Sequence, residues 1–90
     1  MEEPRELMSV VFSKVRMNTY KVDKGNGLVK HEHTYPHLTY CYKGSIVVRK
    51  EGKELTVTPD MPPVYLVANE WHEIEALEDG TIFQNIFAEG

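Results

Sequence analysis

A single cysteine, Cys41, excludes any disulfide within this chain of 90 residues. That suits a reducing compartment, and the expectation is a cytoplasmic protein. Long hydrophobic runs are also missing. The longest near the N-terminus, Val10–Phe12, is far too short for a signal peptide or a membrane span, and the acidic residues Glu2, Glu3 and Glu6 precede it. The chain reads as soluble and unprocessed. Basic runs are missing too: Arg49-Lys50 is the only adjacent basic pair, and Glu51 follows it. With a formal net charge of −4, no nucleic-acid or anionic-membrane partner is expected. Helical periodicity is weak as well. Glycine or proline interrupts every long apolar pattern of helical period. The one competing segment is Leu7–Val15, where Leu7, Val10, Val11 and Val15 would share a helix face.

What the sequence does have is a series of short runs rich in Val, Ile, Tyr, Thr and Phe. They are Met8–Phe12, Val15–Val22, Leu28–His33, Leu38–Tyr42, Ser45–Lys50, Glu54–Thr58, Val64–Val67, His72–Ala76 and Thr81–Ala88. Turn signals separate them, among them Lys24-Gly25-Asn26-Gly27, Tyr35-Pro36, Lys43-Gly44, Glu51-Gly52-Lys53, Asn69-Glu70 and Asp79-Gly80. Strands at this spacing predict an all-β sandwich or barrel. The clearest local element is a hairpin over Ser45–Thr58, with Gly52 in its turn. The whole chain, 1–90, makes one domain, with residues 1–6 frayed and a barrel over about 7–88. A chain this short buries only about 60–65% of its unfolded surface, and oligomerisation or a bound metal commonly widens such a margin.

The chain has four histidines, and His31, His33 and His37 fall within seven residues. Alternate side chains on a strand share a face, so His31 and His33 point the same way and His37 has the same parity. Imidazole is a neutral ligand suited to Zn, Fe, Ni, Cu and Co. A histidine on a strand is more commonly a surface residue or a satisfied core residue, and on pattern alone both readings stand.

The segment Gly25-x5-His31-x-His33-x3-His37-x6-Gly44 resembles the first cupin motif, G-x5-H-x-H-x3,4-E-x6-G, in every spacing. It departs from the motif at His37, where the family usually has Glu. The second motif, G-x5-P-x-G-x2-H-x3-N, is matched at His72; Val67, Asn69 and Ala76 replace its proline, second glycine and asparagine. The resemblance covers about residues 15–88. It implies a double-stranded β-helix barrel with His31, His33, His37 and His72 at the metal-ligand positions. The implied cofactor is one divalent transition metal ion: Fe, Zn, Ni or Mn. Exchanging Glu for His37 removes a negative charge, so the ion would act as a stronger Lewis acid. The resemblance further implies a small-molecule ligand and a metal-dependent enzyme of oxygenase, isomerase, cyclase or lyase type. The alternatives are a non-enzymatic ligand-binding or sensing module and a barrel that the metal merely staples.

Parity places Thr39 and Cys41 with His37 towards the interior, and Leu38, Tyr40 and Tyr42 outward. That outward stripe is too apolar for a solvated face. It predicts either a homodimer interface, which the resemblance also implies, or a surface covered by the Met8–Phe12 segment. Cys41 is expected to be a buried, inert thiol. Tyr35, Thr39 and Trp71 are the candidate pocket residues, against alternatives of an exposed turn for Tyr35 and a cover over the barrel end for Trp71. Glu73 and Glu75 read as a solvated strand face. Parity separates Phe83 from Gln84 without fixing which of them faces inward.

Overall fold

A computed structural model describes residues 1–89. Nine strands form, each on one of the β-branched and aromatic runs: β1 Arg5–Phe12, β2 Val15–Val22, β3 Gly27–His31, β4 His37–Lys43, β5 Ile46–Lys50, β6 Lys53–Val57, β7 Val64–Leu66, β8 His72–Ala76 and β9 Thr81–Ala88. They pair antiparallel into a five-stranded sheet, β1-β2-β9-β4-β7, and a four-stranded sheet, β3-β8-β5-β6. The Leu7–Val15 segment is not helical. It forms β1, the turn Ser13-Lys14 and the start of β2, a tight hairpin with both turn residues at positive φ. Residues 5 and 6, expected to fray, are paired to Lys21 and Tyr20, and the Glu2 carbonyl accepts from Gly27 N at 3.0 Å. Among the described residues no helix is long and apolar enough to cross a membrane.

The core lies between the sheets. Alternation supplies it: Cys41 from β4, Ile46 and Val48 from β5, Val57 from β6, Ile74 and Ala76 from β8, and Phe83 from β9 are fully or almost fully buried. Phe83 therefore faces inward and packs its ring 5.3 Å from Tyr20. The Ser45–Thr58 hairpin forms with Ile46 opposite Val57 and Val48 opposite Leu55. Two glycines let the layers approach. A Cβ on Gly27 would lie 2.0 Å from the Ile74 carbonyl oxygen. One on Gly44, at φ +80°, would lie 2.4 Å from Thr81 Oγ1. Cys41 is sealed in the core, and burial raises its thiol pKa.

The outer face of the five-stranded sheet is apolar. One register row crosses all five strands as Val10, Met17, Ile86, Leu38 and Tyr65. Phe12 and Val15 extend it at one end. Phe12 is 81% exposed and Tyr65 57%. The Met8–Phe12 segment does not cover Leu38 within the chain, because β2 and β9 lie between β1 and β4. On the other sheet, Glu73 and Glu75 are half-buried rather than solvated. Arg49 pairs with both, at 3.4 and 2.9 Å, because its strand lies beside β8.

Candidate metal centre

The four histidines meet at one rim of the sandwich. His31 ends β3 and is the cross-strand partner of His72, the first residue of β8. His37 begins β4 in the opposite sheet. His33 lies beyond the end of β3, in the connection to β4, so strand parity alone does not place it. A backbone bond from Asn69 N to the His33 carbonyl, at 2.7 Å, ties that connection to the turn before His72.

The rings pack against one another. His33 stacks on His31 with centroids 4.5 Å apart and on His37 at 5.0 Å. His72 stands edge-on to His31 at 4.4 Å, to His33 at 4.8 Å and to His37 at 5.2 Å. The donor nitrogens of His31, His33 and His72 all lie within 4.8 Å of one another, so this trio can bind a metal ion. His37 falls outside the trio, though its Nε2 is 3.4 Å from His72 Nε2.

Hydrogen bonds set the ring tautomers. The Val29 carbonyl can only accept, so His31 Nδ1 carries the proton that bridges the 2.6 Å between them. His31 Nε2 is then a lone pair, 3.0 Å from His33 Nε2. His37 Nδ1 lies 3.2 Å from Thr39 Oγ1, whose hydroxyl donates to Asn85 Oδ1 at 2.8 Å. Among the described residues, the one fully buried side-chain polar atom without a partner is His33 Nδ1. Desolvation dominates the electrostatics. Burial pushes His37 down to about 4, against the pull of the Leu38 carbonyl, and the neighbouring His33 and His31 push the same way. Burial followed by repulsion from His31, His37 and His33 takes His72 to about 4. Burial and His31 also hold His33 below its ordinary value. At neutral pH these three rings are therefore uncharged and need shed no proton to bind a cation.

Beside the histidines is a cavity of about 190 Å³. Its wall includes Asn18, Tyr20, Leu28, Tyr35, Asn85 and Phe87, besides His31, His33 and His37. Tyr35 is in the wall of this cavity, its ring 4.8 Å from His33 and 5.0 Å from Phe87. Thr39 and Trp71 do not. Thr39 is fully buried behind His37, and the Trp71 ring lies under the Lys30 ammonium, 4.4 Å from its centroid. Asn18, Asn85 and Phe87 carry no motif. Asn85 and Phe87 are recoverable only from the parity of β9 once Phe83 is known to face inward.

This architecture is the double-stranded β-helix, and the chain has the cupin fold. No family model matches the sequence, and no curated protein sequence does. Solved structures do match. KdgF from Halomonas sp. superposes with a TM-score of 0.83 at 18% identity, over 99% of this chain and 87% of that one. A cupin superfamily protein from Desulfitobacterium hafniense gives 0.79 at 15% identity, over 100% and 83%. A cupin 2 domain-containing protein from Halorhodospira halophila gives 0.82 at 18%, over 98% and 66%. At such identities the likeness establishes the fold.

Proposed function

We propose that His31, His33, His37 and His72 together hold one divalent transition metal ion, Fe, Zn, Ni or Mn, and that a small organic molecule binds beside it in the cavity. The observation that carries this reading is the inward convergence of ring nitrogens. Two nitrogens bound at about 2.1 Å to one ion stand about 3.0 Å apart at a right angle and about 3.4 Å apart at the tetrahedral angle. The His31–His33 and His37–His72 separations are 3.0 and 3.4 Å. With Nδ1 of His31 donating outward, its Nε2 has only a lone pair to offer the centre. A bound ion would supply Lewis acidity to an oxygen of the ligand. The chain supplies the rest: Tyr35, Phe87 and Leu28 form an apolar wall that displaces water, and the Asn85 amide offers polar contact.

Oxygenase, isomerase, cyclase and lyase reactions all suit such a centre. The cavity wall contains no carboxylate among the described residues, so proton transfer would fall to Tyr20, Tyr35 or a histidine. The same feature favours a second reading, in which the centre captures or senses a ligand without turning it over. Metal analysis of protein purified without a histidine tag tests the site: one ion per chain is expected, and His33→Ala should weaken its binding at least tenfold. Unchanged occupancy in that variant would refute the assignment. Turnover of small keto, phenolic and hydroxy-acid compounds by the loaded protein then separates enzyme from binder. A chelated protein that unfolds and takes up no ligand would leave the ion a structural role.

We also infer that the occupant of the outer apolar face is a second copy of this chain. The row Val10, Met17, Ile86, Leu38 and Tyr65 contains no charge. Met8, Phe12 and Val15 extend it, and Phe12 at 81% and Tyr65 at 57% exposure leave it uncovered within the chain. Sedimentation of wild type and Phe12→Asp tests this. A dimer that the substitution dissociates is expected, and a monomeric wild type at micromolar concentration would overturn it. Cytoplasmic residence suits the single reduced thiol in the core.

A further inference from the structure

The inward face of the five-stranded sheet carries a polar row that the metal-ligand motif does not include. Ser9 on β1, Asn18 on β2, Asn85 on β9 and Thr39 on β4 are successive cross-strand partners. The row is joined to the histidine centre through Thr39, which touches both His37 Nδ1 and Asn85 Oδ1. A hydroxyl has one proton to donate, so this chain of bonds has a direction, and the histidine sets it. If Nε2 of His37 presents its lone pair to an ion, Nδ1 must carry the proton, for which Thr39 Oγ1 at 3.2 Å is the nearer acceptor and the Leu38 carbonyl at 3.5 Å the farther, so Thr39 cannot donate to the ring. Thr39 must then donate onward to Asn85, and only the amide oxygen can receive that proton. The amide nitrogen of Asn85 is left for the cavity it lines. It is not sealed in the core, because His33 Nδ1 is the one fully buried polar side-chain atom without a partner among the described residues. In the opposite tautomer, with His37 Nδ1 unprotonated, Thr39 would donate to the ring and accept from the Asn85 nitrogen. The amide oxygen would then face the cavity.

We propose that Asn85 is the ligand-specifying residue of this cavity: with His37 on the metal, its amide is locked as a donor and selects a carboxylate or enolate oxygen. This deepens the four-histidine reading and rests on it. Thr39 is the positioning residue that couples the ring to the amide. Asn18, the cross-strand neighbour of Asn85, adds to the same wall, where the Ser9 hydroxyl already occupies its Oδ1 at 2.6 Å. The cavity limits the ligand's size. About 190 Å³ equals about six water molecules at liquid density, enough for a small oxo or hydroxy acid.

The experiment titrates pyruvate into the zinc-loaded protein by calorimetry, with acetone as the uncharged comparator and zinc content measured on every sample. Wild type is expected to bind pyruvate in preference to acetone. Asn85→Asp keeps the shape and the acceptor for Thr39 but replaces the donor with a negative charge. It is expected to retain zinc and weaken pyruvate at least tenfold. Thr39→Val breaks the coupling and is expected to weaken pyruvate severalfold with zinc retained, and Thr39→Ser to restore it. Zinc-loaded wild type that shows no preference for pyruvate overturns the proposal. So does pyruvate affinity in zinc-loaded Asn85→Asp and Thr39→Val equal to that of wild type. Wild type that takes up no zinc or other divalent ion overturns the four-histidine reading instead, and this inference with it.

Discussion

Mild acid should destabilise the metal-free protein, with the loss beginning well above the range where carboxylates titrate. In the unfolded chain His37 and His72 take protons near 6.5; in the fold both are held at about 4. His37 and His72 are only 4% and 3% exposed, so the charged form of either ring is poorly solvated. Between pH 6.5 and about 4 the unfolded chain binds more protons than the folded one. Stability therefore rises with pH across that window and is level above it. One ring moved from 6.5 to about 4 corresponds to ~3 kcal/mol. The pair costs more than one ring, out of a total stability of about 5–15 kcal/mol for a typical domain. The assay is urea unfolding of chelated protein, followed by Trp71 fluorescence, at fixed protein concentration from about pH 7.5 to about pH 4.5. A loss of at least ~3 kcal/mol is expected over that range. His37→Gln combined with His72→Gln should flatten most of the dependence. An unfolding midpoint that stays constant from about pH 7.5 to about pH 4.5 in chelated wild type would refute the desolvation argument.

Other outcomes follow from the packing. Phe83→Ala empties the largest fully buried side chain and should cost about 3–5 kcal/mol by thermal melting, a large share of the stability of a domain this size. Gly44→Ala places a methyl group against Thr81 at a positive φ, and chemical denaturation should show a loss of at least ~1 kcal/mol. Cys41, 0% exposed, should react with a thiol reagent only at the rate of unfolding, and prompt labelling of folded protein would contradict its burial.

Much of this molecule was legible from local pattern. Each of the nine strands sits on a run whose β-branched and aromatic residues and flanking turns announced it, because strand formation and turn chemistry are local properties. The grouping of His31 with His72 followed from motif spacing. What was hidden depends on which strands lie side by side. The role of Asn85 arises from Thr39, 46 residues away, because β9 is inserted between β2 and β4. Parity places Thr39 inward, but inward parity does not say which of two inward residues reaches the cavity, and Thr39 is fully buried. The helical alternative for Leu7–Val15 failed because its apolar residues serve both faces of an edge strand, a pattern that suits either period.

The two rims of the sandwich are closed by different means. At one, the Lys43–Ser45 crossover lies against Thr81, and Ser45 Oγ donates to Glu78 at 2.7 Å, tying the β4–β5 connection to the β8–β9 connection. At the other, the histidines come from both layers: His31 and His72 from one, His37 from the other. The β3–β4 and β7–β8 connections also cross between the sheets at this rim, and an ion held by histidines of both layers would add a further tie to them. Amide exchange should sense loading along β3 and the first residues of β4 and hardly at all at the Gly44 end.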